Sequence, residues 1–285
     1  MSKRINNALK CIPVYLWLII FTVVPLLMVF FYAIFEVQDD GSIRFTLEYL
    51  NDAVTNGQYL DAMLRSLEYA LISTIVCLVL GYPLAYILAN MEERKRNFIS
   101  VLFLLPMWMN FLIRTYALSS LINEQGIITR FLQWMGLING SITGTEAAIV
   151  IGMVYNFLPF MILPVYTSML KIDNRIVEAA KDLGADSVTV FKKIILPLTV
   201  PGIISGITMV FVPCITTFVI PQLLNNKVWT IGSLIEFQIN GNASSTGGVN
   251  NTAAAISFIL MIIVFICMSI FSKFDSDGAE NGGLM

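Results

Sequence analysis

Six apolar stretches, each close to the length that crosses a bilayer, constrain this chain more than any other feature. A hydrocarbon core takes about 20 apolar residues per helix. Such runs lie at about 12–35, 66–89, 98–121, 147–170, 201–223 and 253–273. Lipid offers no hydrogen-bond partners, so segments of this kind must satisfy their backbone internally, as helices. The expected fold is an all-α integral membrane protein with six transmembrane helices. It forms one membrane domain over 1–273, followed by an acidic, glycine-containing tail over 274–285 that is expected to be disordered.

Composition agrees and removes several function classes. The 285 residues are 57% hydrophobic and 13% charged, against about 25% charged in an average soluble domain. Histidine is absent, so the commonest metal ligand and the usual general base are missing, and neither a metal site nor a catalytic centre is expected. A net charge of −2 with short, scattered basic clusters argues against nucleic-acid binding. Cys11, Cys77, Cys214 and Cys267 stand singly inside apolar runs and read as small buried hydrophobes. The first run is too long for a signal-peptide core and lacks a small-residue cleavage site, so it is expected to be retained.

Orientation follows from the basic residues. Lys3, Arg4, Lys10, Arg94, Lys95, Arg96, Lys171, Arg175, Lys181, Lys192, Lys193 and Lys273 fall on one side of the predicted spans, and only Arg44, Arg65, Arg130 and Lys227 on the other. The positive-inside rule then places both termini and the segment around Glu178 in the cytoplasm. The opposite loops are acidic, which would favour cations or a basic docking surface there. Prolines at 25, 83, 106, 159, 164, 213 and 221 predict kinks within the spans. Between the last two spans, Thr230 to Ile239 is expected to be a short ordered piece followed by a flexible turn.

The segment 174–202 is the polar interruption in this greasy chain. Asn174 is placed to cap a helix whose apolar face carries Ile176, Ala180 and Leu183. Gly184 is the left-handed residue that ends it. Asp186 or Ser187 then caps a second helix, carrying Val188, Phe191 and Ile194 or Ile195, which Pro197 is expected to stop. The product is a helical hairpin whose first helix is paved with small residues, so another protein can approach its backbone closely.

Glu178-Ala179-Ala180, Gly184, Ile194 and Leu196-Pro197 closely resemble the E-A-A-x-x-x-G-x(9)-I-x-L-P signature of permease subunits of ATP-binding-cassette importers. The segments 78–85, 104–116 and 157–161 are similar to the spermidine/putrescine branch of that family, over about Ile12 to Ile239. The tail lacks the basic character expected of that branch. The resemblance implies a type I importer permease (MetI-like) fold in a bacterial inner membrane. In it Glu178, Ala179, Ala180, Gly184, Ile194, Leu196 and Pro197 form a coupling segment that sits in a groove of an ATPase subunit. It implies as partners two ATPase copies, a second permease sharing one pathway, an extracytoplasmic solute-binding protein and a polyamine substrate. No phosphate-binding loop of the G-x-x-x-x-G-K-[ST] type occurs in the sequence. ATP and Mg are therefore assigned to the partner ATPase, and no cofactor to this chain.

For the pathway, the third span combines Trp108, Asn110, Arg114 and Tyr116, and polar groups within a membrane helix usually face a bundle interior or cavity. An aromatic wall suits an ammonium-bearing chain through cation–π attraction, although Trp and Tyr also form interfacial belts. Glu68 and Glu236 are the candidates for meeting an ammonium group. Arg114 would repel a cation unless paired with Glu68, Glu146 or an acid of the second permease, and is assigned as an ion-pair or gate residue. Two other readings stay open: an importer for another small solute such as an amino acid, ferric ion or sulfate, and a membrane enzyme or export channel without an ATPase.

Overall fold

The computed structural model describes residues 13–37, 42–243 and 250–282, with side chains given to 240 and from 250 to 273. Ile12, Cys11, Lys3, Arg4 and Lys10 lie outside these residues, as does most of the turn expected after Ile239. The chain forms α1 (Pro13–Ile34), the strands β1 (Phe35–Val37) and β2 (Ile43–Phe45), α2 (Glu48–Thr55), α3 (Gly57–Ala89), α4 (Glu93–Trp108), α5 (Phe111–Ile122), α6 (Ile127–Trp134) and α7 (Glu146–Leu170). There follow α8 (Asn174–Asp182), α9 (Ser187–Thr216), α10 (Val219–Leu224), α11 (Ile231–Ala243) and α12 (Asn251–Gly282).

Five helices are long and apolar enough to cross a membrane, and a sixth crossing arises if α4 is taken with the segment Phe111–Trp134, from which it is bent by 95°. The stretch expected as one helix over 98–121 is therefore broken. Met109 and Asn110 take extended ψ values of 148° and 129°, immediately after Pro106, whose ring removes one donor from the last turn. The stretch at 201–223 differs too. Its helix starts earlier, ends at Thr216 and resumes as α10. Helix α3 begins nine residues before the expected start at 66. Helix α12 continues to Gly282, so the backbone is helical past Lys273, where no order was expected.

Two compact units are present. The first comprises Met1–Asp61 with Leu234–Ile263. Its antiparallel hairpin pairs Phe35 with Phe45, Glu36 with Arg44 and Val37 with Ile43. The Tyr49 hydroxyl donates to Glu36 Oε1 at 2.8 Å, and this bond to a carboxylate pushes the phenol up to about 12. Asn251 Nδ2 donates to the carbonyls of Tyr32 and Phe35 at 3.0 and 2.7 Å, tying the end of α1 to the start of α12.

The second unit, Ala62–Ser233 with Val264–Met285, is built around α7. Ile149, Met153, Met161, Ile162 and Val165 of this helix are almost completely buried, as are Val210, Phe211 and Ile215 of α9 and Ile220 and Leu224 of α10, the two helices that pack on it. Membrane helices gain little hydrophobic drive from one another, so close packing at small residues matters more. Gly202 of α9 meets α7 so closely that a Cβ there would lie 2.5 Å from Ser168 Cβ and 2.8 Å from the Pro164 carbonyl oxygen. Gly202→Ala must push the two helices apart, at a cost of about 1–3 kcal/mol. Thermal unfolding of the detergent-purified protein should show a lower midpoint for Gly202→Ala and an unchanged one for Gly140→Ala, where a Cβ meets nothing within 4 Å.

Candidate functional site

The hairpin between α7 and the body of α9 has the local construction that its polar residues dictate, with two differences. Asp173, not Asn174, caps α8, and its carboxylate accepts from the Arg175 N–H at 3.0 Å. The preceding residue wins because Asn174 is already inside the helix. At the other end Gly184 has φ +85°. Its N–H donates to the Lys181 carbonyl at 2.9 Å and the Ala185 N–H to the Ala180 carbonyl at 3.0 Å, which together make a Schellman cap. A left-handed residue is required at this point, and glycine takes that conformation without a Cβ clash.

Asp186 caps the second helix, accepting from the Thr189 N–H at 3.3 Å. A hydrogen bond from the Thr189 side chain, with help from neighbouring backbone N–H groups, holds its carboxyl below the ordinary carboxylate range. Pro197 does not stop the helix. Residues Phe191–Ile195 form a π turn, and Pro197 falls in the first turn of the α-helical stretch that follows, where its missing N–H is tolerated.

The faces of α8 also differ from expectation. Val177 and Ala180 turn inward and are half-buried, whereas Ile176 and Ala179 are exposed and Leu183 is 90% exposed. Positions 176, 179 and 183 share one helical stripe, so the hairpin presents an uncovered apolar edge beside the exposed Glu178. Of the other signature residues, Gly184, Leu196 and Pro197 are exposed and Ile194 is half-buried. The hairpin is fastened to the bundle by Phe191, whose ring meets Tyr82 and Tyr86 of α3 edge-on at 5.8 and 5.9 Å. Tyr82 also shares a hydrogen bond with Thr199 at 3.1 Å. Beneath it lies a cavity of about 150 Å³ lined by Asn90, Asn174, Lys181 and Ser187 among others.

The second cluster surrounds the break in the third span. Trp108 is 80% exposed at the end of α4. Asn110 is the N-cap of α5, its Oδ1 accepting from the N–H groups of Leu112 and Ile113 at 2.9 and 3.3 Å. Tyr116 borders an open apolar groove of about 400 Å³ with Leu112, Ile113, Ala117 and Leu223. Arg114 is buried at 5% exposure and has no carboxylate partner among the described residues. Its Nε donates to Asn156 Oδ1 at 2.8 Å and its Nη1 to the Pro106 carbonyl at 2.7 Å.

Of the partners expected for Arg114, neither Glu68 nor Glu146 bonds to it. Glu146 instead lies 3.3 Å from Arg65 in an exposed contact. Glu68 is exposed on α3. Glu236 belongs to the first unit, where Asn240 Nδ2 donates to it at 2.6 Å. Sequence reasoning missed Asn156, although a lone amide in the apolar run 146–170 was the available signal, because buried polar groups in a span need a partner. It also missed the Phe191 contacts, which depend on a helix more than 100 residues away in the chain.

One prediction concerns the hairpin. Asp186→Ala removes the cap of the second helix and should speed tryptic cleavage after Lys192 or Lys193 several-fold at neutral pH, whereas Asp186→Asn, which keeps an acceptor, should leave it close to wild type. Because the carboxyl is held low, the stabilisation from its charge is complete above the usual carboxylate pKa and is lost only as pH falls through the lowered value. The wild-type cleavage rate should therefore show no dependence on this group near neutrality.

Comparison with known proteins places the geometry in context. Residues 78–276 match the family described as binding-protein-dependent transport system inner membrane component. The spermidine/putrescine transport system permease protein PotB of Escherichia coli (strain K12) is 38% identical over 256 residues, covering 87% of this chain and 92% of its own. The protein of the same name from Haemophilus influenzae is 36% identical, covering 93% and 94%. Among solved structures, a bacterial ABC transporter that imports the acidic polysaccharide alginate shares the fold with TM-score 0.75 at 14% identity, covering 97% of this chain and 96% of that one. The MetNI methionine ABC transporter gives 0.54 at 17% identity, covering 78% and 96%. The chain belongs to the binding-protein-dependent transport system inner membrane component family, the multi-pass permease subunits of ATP-binding-cassette importers.

Proposed function

We propose that this chain is one of two permease subunits of an ATP-driven importer for polyamines, spermidine and putrescine. The observation that carries the ATP-driven part is the hairpin itself, with its exposed stripe of Ile176, Ala179 and Leu183 closed by Gly184 at φ +85°. The hairpin docks in a groove of an ATPase subunit, one per permease, and lies with both termini in the cytoplasm. The distribution of twelve basic residues against four supports that orientation. The partner binds ATP and Mg, and a solute-binding protein delivers cargo from the outer side.

The polyamine assignment is supported by similarity to spermidine/putrescine permeases over nearly the whole length of both chains. The exposed Trp108 and the apolar groove beside Tyr116 suit a chain of methylenes ending in ammonium groups. Arg114 favours a second reading. A buried guanidinium with no carboxylate among the described residues would suit a neutral or anionic solute better than a cation.

Motion of the ATPase pair acts on the hairpin as a lever. Because Phe191 packs against both Tyr82 and Tyr86, a displacement of α8 is passed to α3 as well as along α9. The spans then rock between inward-open and outward-open states as rigid bodies.

Uptake assays in a deletion strain carrying the complete operon test both parts. Excess spermidine should abolish uptake of labelled putrescine, and if another solute does so while spermidine does not, the polyamine reading fails. Gly184→Pro forces φ from +85° to about −65° and removes an N–H of the cap. It should lower coupled transport roughly tenfold or more, with less ATPase recovered alongside the permease. Normal coupled transport in that variant would sink the lever.

A further inference from the structure

We infer that Arg114 is a positioning residue: with Asn156 it latches the break in the third span and so sets where Trp108 stands for the passing solute. This rests on the reading of Trp108 as a pathway residue.

A guanidinium at 5% exposure is costly to desolvate, and an apolar side chain of similar size would ordinarily be the more stable choice. No carboxylate among the described residues offsets that cost. What an arginine supplies, and a lysine or a leucine does not, is a planar fork that can bond to two elements at once. Here the fork spans three helices. Arg114 stands on α5, its Nε reaches Asn156 on α7, and its Nη1 reaches the Pro106 carbonyl at the end of α4.

Both acceptors are prepared for it. Asn156 is fully buried. Its Nδ2 is held by the Gly152 carbonyl at 2.8 Å and by Thr115 Oγ1 at 3.3 Å, which aims Oδ1 at Arg114. The Pro106 carbonyl lies in the last turn of α4, where the helix leaves carbonyls without full intrahelical partners. It takes only a 3.3 Å bond from the Met109 N–H besides the 2.7 Å bond from Arg114. Trp108 follows two residues later, at 80% exposure. Among the described residues, the Arg114 bond is the only side-chain hydrogen bond that ties 106–109 to another helix. The direction in which Trp108 is presented therefore depends on it.

A double-mutant cycle in the assembled transporter tests this. Arg114→Gln and Trp108→Ala should each raise the apparent KM for uptake roughly tenfold, the scale of losing a hydrogen bond to a charged group in the first and a desolvated cation–π contact in the second. The double variant should be no worse than the more affected single one, since Arg114 acts through Trp108. Arg114→Lys, which keeps the charge but not the fork, should fall between wild type and Arg114→Gln, and takes its place in the cycle if Arg114→Gln does not assemble. Three outcomes overturn the latch: additive effects, a Trp108→Ala variant with unchanged KM, or an effect of Arg114 confined to maximal rate or to the amount of assembled complex. The solute is whichever one saturates wild-type uptake, so a failed polyamine control counts against the substrate reading and not against the latch.

Discussion

Within a bilayer a backbone N–H or carbonyl freed from its helix finds no water, and each break in this bundle is closed by protein groups placed beside it. At the break after α4, Asn110 Oδ1 takes two N–H groups and Arg114 takes the Pro106 carbonyl. At the break after α9, the Thr217 N–H returns to the Pro213 carbonyl at 3.0 Å. The carbonyls at the end of α10 are met by the Ser119 hydroxyl at 3.3 Å and the Gly144 N–H at 2.7 Å. Of these partners α5 supplies two, Arg114 and Ser119, and the others come from residues beside each break or, for Gly144, from the loop before α7.

The same constraint separates the two candidate regions by their chemistry. Most residues of the hairpin are exposed. It is held together by local caps from Asp173, Gly184 and Asp186, and it keeps an apolar stripe uncovered. Its shape is therefore set by contacts between residues close together in the chain. It meets α3 through Phe191, with the Tyr82–Thr199 hydrogen bond just beyond. The broken span is the reverse case. Its exposed Trp108 and Tyr116 are carried on a backbone whose geometry depends on long-range bonds to α7.

Much of this was legible in advance. Hydropathy alone located the apolar stretches, which form five helices long enough to cross a membrane and a bent pair that makes a sixth if taken as one span, because the length of a crossing is set by the bilayer and not by the fold. The hairpin was legible because capping is short-range chemistry: Gly184 and Asp186 act on residues within one turn of themselves. The errors at Asn174 and Pro197 were of the same short range. One reflects two adjacent residues competent to cap. The other reflects a π turn that leaves Pro197 at a tolerated position.

By itself, then, the sequence determined which stretches are long and apolar enough to cross a membrane and where the polar hairpin between α7 and α9 stands. Both are decided by local composition against the solvent that surrounds it. The tertiary structure decided the 95° break in the third span and the partners of Arg114. It also decided the close approach of Gly202 to α7 and the anchoring of Phe191 on α3. Each of these joins residues from different helices, and which acceptor a buried guanidinium finds is fixed by packing rather than by spacing along the chain.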